Sequence, residues 1–257
     1  MTNFQTHQRE DIAEPSPTFS KTMPPLAPLF APLFAPLFAQ CHDTLNWLPS
    51  QLQNEQFAQL YGLVLEGNRQ QNLTRITEFN DFWEKHLWDS LRGIWALQEQ
   101  ERLQVIDIGT GAGFPGLAIA IAKPSWQVTM IDSTQKKINF VQQVIEELGL
   151  SNAIAIAGRA EALAQSVKYH RKFDLAVIRA VGKPDICTKY CLPFLNQKGN
   201  AVLYRGQWLT DESEQFSIFC ESQNIELGQV DRFQTPLNAG LRHSIYLSPR
   251  STSISNS

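Results

Sequence analysis

The chain has 257 residues, of which 43% are hydrophobic and 18% charged, enough for one sizeable core with a smaller appended unit. Its net charge of -3 provides no global basic field, so any contact with nucleic acid must come from local clusters of cations. The four cysteines form no C-x-x-C pair, which argues against structural zinc and favours a reducing, cytoplasmic compartment.

The N-terminal region contains an apolar run, PPLAPLFAPLFAPLFA (24–39), with three tandem copies of APLF. The run is shorter than the about 20 residues that a membrane span needs, and it follows an acidic leader rather than a basic one. Dense prolines argue against a helix, because each interior proline removes a backbone donor. We expect residues 1–43 to form a disordered low-complexity extension and residues 251–257 to form a disordered tail. The alternative for the APLF repeat is an apolar segment that mediates interactions.

Residues 44–100 show apolar positions at helical spacing and no strand-like alternation. One amphipathic helix is expected to end near Gly67, and a second is expected within 73–97. The apolar positions that predict the first helix are Leu52, Phe57, Leu60, Leu63 and Val64. We predict a helical cap over this region.

Residues 101–250 alternate between apolar β-rich runs and helical segments. Strands are predicted over 103–109, 126–132, 153–157, 173–180, 200–206, 225–233 and 243–247, and helices over 114–122, 133–149, 161–166, 184–195 and 211–222. This alternation predicts an α/β doubly wound, mainly parallel sheet covered on both faces. Ligands of such sheets bind at the carboxyl ends of the strands.

The stretch DIGTGAGFPG (107–116) follows the first predicted strand. Read from Gly111 it is G-x-G-x-x-G, typical of a loop that seats a dinucleotide pyrophosphate on a helix N-terminus. Read from Asp107 it is D-x-G-x-G-x-G, and a carboxylate there opposes a pyrophosphate but suits the ammonium group of S-adenosylmethionine. Gly109, Gly111 and Gly113 would let the backbone approach that cofactor closely. The pattern favours S-adenosylmethionine, with a nicotinamide cofactor or a purely structural turn as alternatives.

The next strand ends carry further candidates. Asp132 closes the second strand, where a carboxylate accepts from ribose hydroxyls in either cofactor. Ala160 and Glu161 follow the third strand, where an adenine ring would lie. The fourth strand ends in IRAVGKPD, without the Asn/Asp-Pro-Pro-aromatic run common in exocyclic-amine methyltransferases.

No catalytic residue stands out in the sequence. Cys187 and Cys191 lie four apart on a predicted helix, and we expect them in the core rather than as nucleophiles. His86 is the best histidine candidate, with a buried structural role as the equal alternative. Guanine N7 fits such a site, because its in-plane lone pair needs neither a base nor a nucleophile, only orientation.

Seven segments together resemble the RsmG family, also called glucose-inhibited division protein B. They are NLTRIT (72–77), HLWDSL (86–91), DIGTGAGFPG (107–116), IDSTQKK (131–137), GRAEAL (158–163), FDLAVIRAV (173–181) and YRGQ (204–207). The resemblance covers about residues 45–247 and implies a class I methyltransferase fold with an N-terminal helical cap. It also implies methyl transfer from S-adenosylmethionine to N7 of a guanine in 16S rRNA, with that RNA or the small ribosomal subunit as partner and no membrane or metal. Ile178 replaces the family's usual serine, and Arg205 its usual lysine.

The resemblance also assigns residues to the site. Gly109, Phe114, Ala160, Glu161 and Arg179 are implied cofactor contacts, with Arg179 alternatively on the RNA backbone. Candidates for the cleft between cap and sheet are Asn72, Thr74, His86, Asp89 and Ser90, and candidates for gripping phosphates are Lys136, Lys137, Arg205 and Arg242. Phe114 and Trp88 are candidates for stacking the target base. An NAD(P)-dependent oxidoreductase and a non-catalytic RNA-binding ribosome-assembly factor remain the alternatives.

Overall fold

A seven-stranded sheet forms the centre of the computed structural model, which describes residues 27–250. The strand order is β3-β2-β1-β4-β5-β7-β6. Strands β1 to β5 are parallel, and β7 lies antiparallel between β5 and β6. The strands are β1 Gln104–Ile108, β2 Gln127–Asp132, β3 Ala153–Ala157, β4 Phe173–Arg179, β5 Leu195–Arg205, β6 Ile225–Gln234 and β7 Leu241–Pro249.

Helices cover both faces of the sheet. They are α1 Ala27–Gln40, α2 His42–Leu45, α3 Gln51–Gln71, α4 Phe79–Phe82, α5 Asp89–Arg92, α6 Gly116–Ala122, α7 Gln135–Glu147, α8 Ala160–Leu163, α9 Pro184–Cys191 and α10 Thr210–Ser222. A π-helical segment, Trp83–Trp88, joins α4 to α5, and single 3-10 turns span Trp95–Leu97 and Leu192–Phe194. No helix within 27–250 has the length and apolar character needed to cross a membrane.

Successive residues of the central strands point into two separate cores. In β4, Leu175 and Val177 pack beneath the cap and α6, whereas Ala176 and Ile178 pack beneath α9 and α10. Side chains alternate between the two faces of a strand, so a strand covered on both sides must be apolar throughout. The predicted α/β doubly wound class is confirmed. The division into a cap (44–100) and a sheet domain (101–250) remains a prediction, since the cap shares one buried cluster with the sheet.

Two predicted helix ends differ from the structure. Helix α3 begins with a capping box between Ser50 and Gln53 and continues past Gly67 to Gln71. Gly67 is buried, and a Cβ there would lie 2.3 Å from a ring carbon of Phe140, so this glycine permits close helix packing rather than ending the helix. The predicted helix 184–195 stops at Cys191, because Pro193 has no amide proton to continue it.

The prediction of disorder over residues 1–43 is wrong for residues 27–43, where the APLF repeat forms helix α1. A period of four places like residues on the same face of a helix. Phe34 and Phe38 are 0% and 1% exposed against aromatic rings of the cap, while Pro32 and Pro36 lie exposed. Burial of the phenylalanine face offsets the missing proline donors. Residues 1–26 and the predicted tail 251–257 lie outside the described residues.

Candidate functional site

The loop after β1 requires glycine at three positions. The φ angles of Gly109, Gly111 and Gly113 are +70°, +60° and +96°, a region of backbone conformation that residues other than glycine rarely adopt. The amide of Gly109 donates to the Ile131 carbonyl at 2.8 Å, which ties the loop to β2. Gly116 serves packing instead, since a Cβ there would lie 2.4 Å from Met130.

Asp107 lies beneath this loop rather than in its open face. The side chain is fully buried, and Oδ2 accepts from the Thr110 hydroxyl at 2.6 Å and from the Gly116 amide at 2.8 Å. Oδ1 has no hydrogen-bond partner within the described residues. Burial raises the pKa of Asp107 to about 6, although both hydrogen bonds favour the charged form. The carboxylate therefore organises the loop from below.

Asp132 connects the glycine loop to the start of α7. Its Oδ2 accepts from the Gly111 amide at 3.1 Å, and its Oδ1 accepts from the Thr134 amide at 2.8 Å. Each oxygen retains a second lone pair for another donor. Asp132 is thus held rigidly at the carboxyl end of β2.

A cavity of about 370 Å³ opens at the carboxyl ends of β1 to β4. Its size falls within the range of small-molecule sites, and it brings together four predicted cofactor residues: Gly109, Asp132, Ala160 and Glu161. Sequence reasoning missed several lining residues, namely Gly158, Arg159, Ala180, Val181 and Tyr190. A neighbouring hollow of about 470 Å³ shares Ala160, Glu161 and Tyr190 with it. This arrangement can seat an elongated small molecule across several strand ends.

Arg179, at the end of β4, points away from this cavity and into the cap. Its Nη1 donates to the Lys85 carbonyl at 2.9 Å and to Ser90 Oγ at 3.3 Å, and lies 3.4 Å from Asp89 Oδ2. Its Nη2 donates to His86 Nδ1 at 3.3 Å. Arg179 therefore fastens the sheet to the cap and does not line the cavity.

The acceptors around Arg179 come from the π-helical segment and the first turn of α5. In this stretch the Ser90 hydroxyl also donates to the His86 carbonyl. Segments of π-helix are rare and concentrate at functional sites. The HLWDSL motif therefore marks a local distortion that turns several polar groups toward one guanidinium.

His86 uses both ring nitrogens inside the protein. A guanidinium only donates, so Nδ1 is the acceptor from Arg179, and Nε2 carries the proton that it donates to Thr74 Oγ1 at 3.1 Å. The ring stacks on Phe114 with 4.3 Å between centroids and 11° between planes. Burial, followed by the charges of Arg179 and Lys85, holds the pKa of His86 well below its usual range. His86 is a neutral, fully partnered histidine.

The remaining predicted site residues have separate environments. Asn72 caps α3 with φ +50° and is exposed, and Lys136 is exposed. Lys137 lines the cavity. Arg205 pairs with Glu212 at 2.7 Å, and Arg242 lies 3.8 Å from Asp89, a carboxylate that it shares with Arg179.

Neither predicted stacking aromatic presents a ring to solvent. Phe114 is 4% exposed and Trp88 1% exposed. Cys187 and Cys191 are buried, as predicted, and burial raises the pKa of both thiols, which removes them as nucleophiles. Within residues 27–250, no group of three or more His, Cys, Asp or Glu side chains could hold a metal.

Comparison with known proteins decides between the cofactors that the glycine pattern left open. A family profile described as rRNA small subunit methyltransferase G matches residues 53–243. The chain belongs to this family. It is 48% identical over 214 residues to the ribosomal RNA small subunit methyltransferase G of Microcystis aeruginosa, covering 81% of this chain and 95% of the relative. It is 50% identical over 203 residues to that of Gloeobacter violaceus, covering 79% and 81%.

Solved structures share the fold at low sequence identity. The YcgJ protein of Bacillus subtilis matches with a TM-score of 0.51 at 13% identity, over 65% of this chain and 100% of that chain. The structure of MtNAS in complex with MTA and tNA also gives 0.51, at 12% identity, over 78% and 75%. Family membership makes this chain an S-adenosylmethionine-dependent methyltransferase, which sets aside the nicotinamide-dependent oxidoreductase and the non-catalytic factor.

Proposed function

We propose that this enzyme transfers a methyl group from S-adenosylmethionine to N7 of a guanine in 16S rRNA. The name that its relatives carry, ribosomal RNA small subunit methyltransferase G, supports the small-subunit rRNA as substrate. The observation that supports N7 as the acceptor atom is that His86 is neutral and has both ring nitrogens in hydrogen bonds. His86, in the HLWDSL motif, has no free ring nitrogen to accept a proton, and N7 has no proton to give.

The cavity residues fit the cofactor. Gly109 offers backbone without a side chain, Asp132 offers carboxylate lone pairs to ribose hydroxyls, and Ala160 and Glu161 border the space suited to adenine. When bound, S-adenosylmethionine supplies an electrophilic methyl group on a sulfonium. Asp107 and Asp132 keep the glycine loop in one conformation, so the energy of binding is not spent on ordering it.

Positioning is the main task that N7 methylation leaves to the protein. Held by Gly109, Asp132, Ala160 and Glu161, the bound cofactor would supply the methyl group, and N7 would accept it with its lone pair to give a cationic purine. No proton moves in this step, so rate depends on holding N7 in line with the methyl group. The contacts of Arg179 with the Lys85 carbonyl and His86 hold the cap against the end of β4.

The four cysteines are free and buried, which supports a reducing, cytoplasmic setting for this activity. The decisive test incubates the purified protein with methyl-labelled S-adenosylmethionine and 16S rRNA, either naked or in small subunits. We expect label in N7-methylguanine at one position of the RNA. Label on any other atom, or none in either substrate, would contradict the proposal.

A further inference from the structure

A larger cavity lies at the opposite end of the sheet from the cofactor site. It has a volume of about 540 Å³ and sits between the starts of β5 and β6 and the end of β7. Leu195 and Ile225, both buried, contribute an apolar floor. Arg171, Lys198 and Arg250 stand on its rim, with four amide side chains between them. We call it the basic cavity.

The three cations of the basic cavity are uncompensated. None of their side chains has a hydrogen-bond or ion-pair partner among residues 27–250, and no Asp or Glu lines the cavity. The nearby carboxylate Asp174 already accepts from Asn196 at 2.7 Å and from the Gln104 amide at 2.8 Å. The chain as a whole is slightly acidic, with 25 acidic and 22 basic residues. The charge around the basic cavity is therefore opposite in sign to the net charge of the chain. Such a site selects an anion.

The rim is anchored by its backbone. Arg171 has φ +54°, and its amide donates to the Pro193 carbonyl at 2.9 Å. The Arg250 amide donates to the Asn224 carbonyl at 3.2 Å. The cations therefore project from fixed points, which lowers the entropy lost when an anion binds.

We propose that the basic cavity binds the sugar–phosphate backbone of the substrate RNA, at a segment remote from the methylated guanine. This inference rests on the proposed function. Cations match phosphates, and amides match ribose hydroxyls. The cofactor cavity lies beyond the other end of β4, whose seven residues span about 20 Å.

This separation sets the size of the substrate. The target guanine and its own phosphates cannot reach both ends of the sheet. A folded RNA can do so, with one segment at the glycine loop and another at the basic cavity. A short RNA that contains only the target would contact the cofactor end alone.

The test measures filter binding of 16S rRNA, and of a short RNA stem containing the target guanine, as a function of salt. The variants are Arg171→Gln and Lys198→Gln. The matched control is Arg69→Gln, an exposed arginine that pairs with Glu66 on α3. Each cavity variant is expected to raise the Kd for 16S rRNA at least about threefold at low salt and to reduce the slope of log K against log salt by about one. Affinity for the short stem and for S-adenosylmethionine is expected to stay within twofold of the wild-type values.

Three results would overturn the inference. If the cavity variants change the affinity for 16S rRNA no more than Arg69→Gln does, the basic cavity is not an RNA-binding site. The proposed methyltransferase function would be unaffected by that result. Binding of guanosine monophosphate that depends on Arg171 and Lys198, with rRNA binding unaffected, would make the ligand a free nucleotide. Failure of the wild-type protein to methylate any RNA would remove the proposed function and this inference together.

Discussion

The contact between His86 and Arg179 can be tested with two substitutions that each keep half of it. In His86→Asn the amide oxygen can occupy the place of Nδ1 and accept from Arg179. In His86→Gln the longer amide can occupy the place of Nε2 and bond to Thr74. Both variants lose the ring that stacks on Phe114. The difference between them therefore isolates the acceptor for Arg179.

The expected difference follows from what each variant leaves unpaired. The donor Nη2 of Arg179 is part-buried, charged and without another hydrogen-bond partner among residues 27–250, so the loss of its acceptor in His86→Gln costs about 1–2 kcal/mol. Thr74 Oγ1 loses less in His86→Asn, because it still accepts from the Ile76 amide at 3.0 Å. We expect His86→Gln to be less stable than His86→Asn by about 1–2 kcal/mol.

The pH dependence supplies a second readout. The pKa of His86 lies well below 6.5 in the folded protein, so the unfolded chain binds the proton more readily. The free energy of unfolding should therefore fall as pH drops below about 6.5, and both variants should lose this part of the dependence. Asp107 acts in the opposite direction, because its pKa is raised from 3.8 to about 6 and the folded state binds the proton more readily over that interval. The contribution of His86 is therefore obtained by subtracting the free energy of unfolding of each variant from that of the wild type at each pH.

Urea unfolding at pH 7.5 and pH 5.5 gives both quantities. Equal stability of the two variants at pH 7.5, or a less stable His86→Asn, would refute the role of the Nδ1 acceptor. If the difference in free energy of unfolding between wild type and variant is the same at both pH values, the imidazole of His86 is not held neutral by burial.

Three further pairs of variants test other parts of the account. Gly109→Val should weaken S-adenosylmethionine binding in calorimetry at least tenfold more than Gly111→Ala, because its Cβ would lie 2.6 Å from Val181 whereas a Cβ at 111 would lie 3.9 Å from its nearest neighbour; equal losses would contradict this. Asp107→Ala should lower the free energy of unfolding by about 2–3 kcal/mol, by removing the acceptor of two buried donors, with Asp107→Asn costing less; a costlier Asn variant would refute the loop role. Phe38→Ala should cost about 3–5 kcal/mol, against less than about 1 kcal/mol for the exposed Leu33→Ala; similar small losses would mean that α1 does not pack in solution.

The sheet can be predicted because its physical signal is local. Strands buried on both faces must be apolar throughout, and the predicted third strand matches Ala153–Ala157 to the residue. The glycine loop can also be predicted from the sequence, because a backbone with positive φ usually requires glycine. Local rules thus locate both the sheet and the cofactor loop.

Helix α1 escapes prediction when each proline is weighed singly. Counting the period of the repeat places its phenylalanines on a single face, opposite the exposed prolines. The position of Arg179 has no local signal at all. Its partners lie about ninety residues earlier, and only the folded chain brings β4 against the π-helical segment. The same holds for Arg242, whose neighbouring carboxylate Asp89 comes from α5.

The most direct test of the central claim is mapping of N7-methylguanine in 16S rRNA from a strain that lacks this protein. We predict that one N7-methylguanine present in the parent strain disappears on deletion. It should return with the wild-type gene and fail to return with the Gly109→Val variant. A pattern of N7-methylguanines identical in parent and deletion strains would contradict the account.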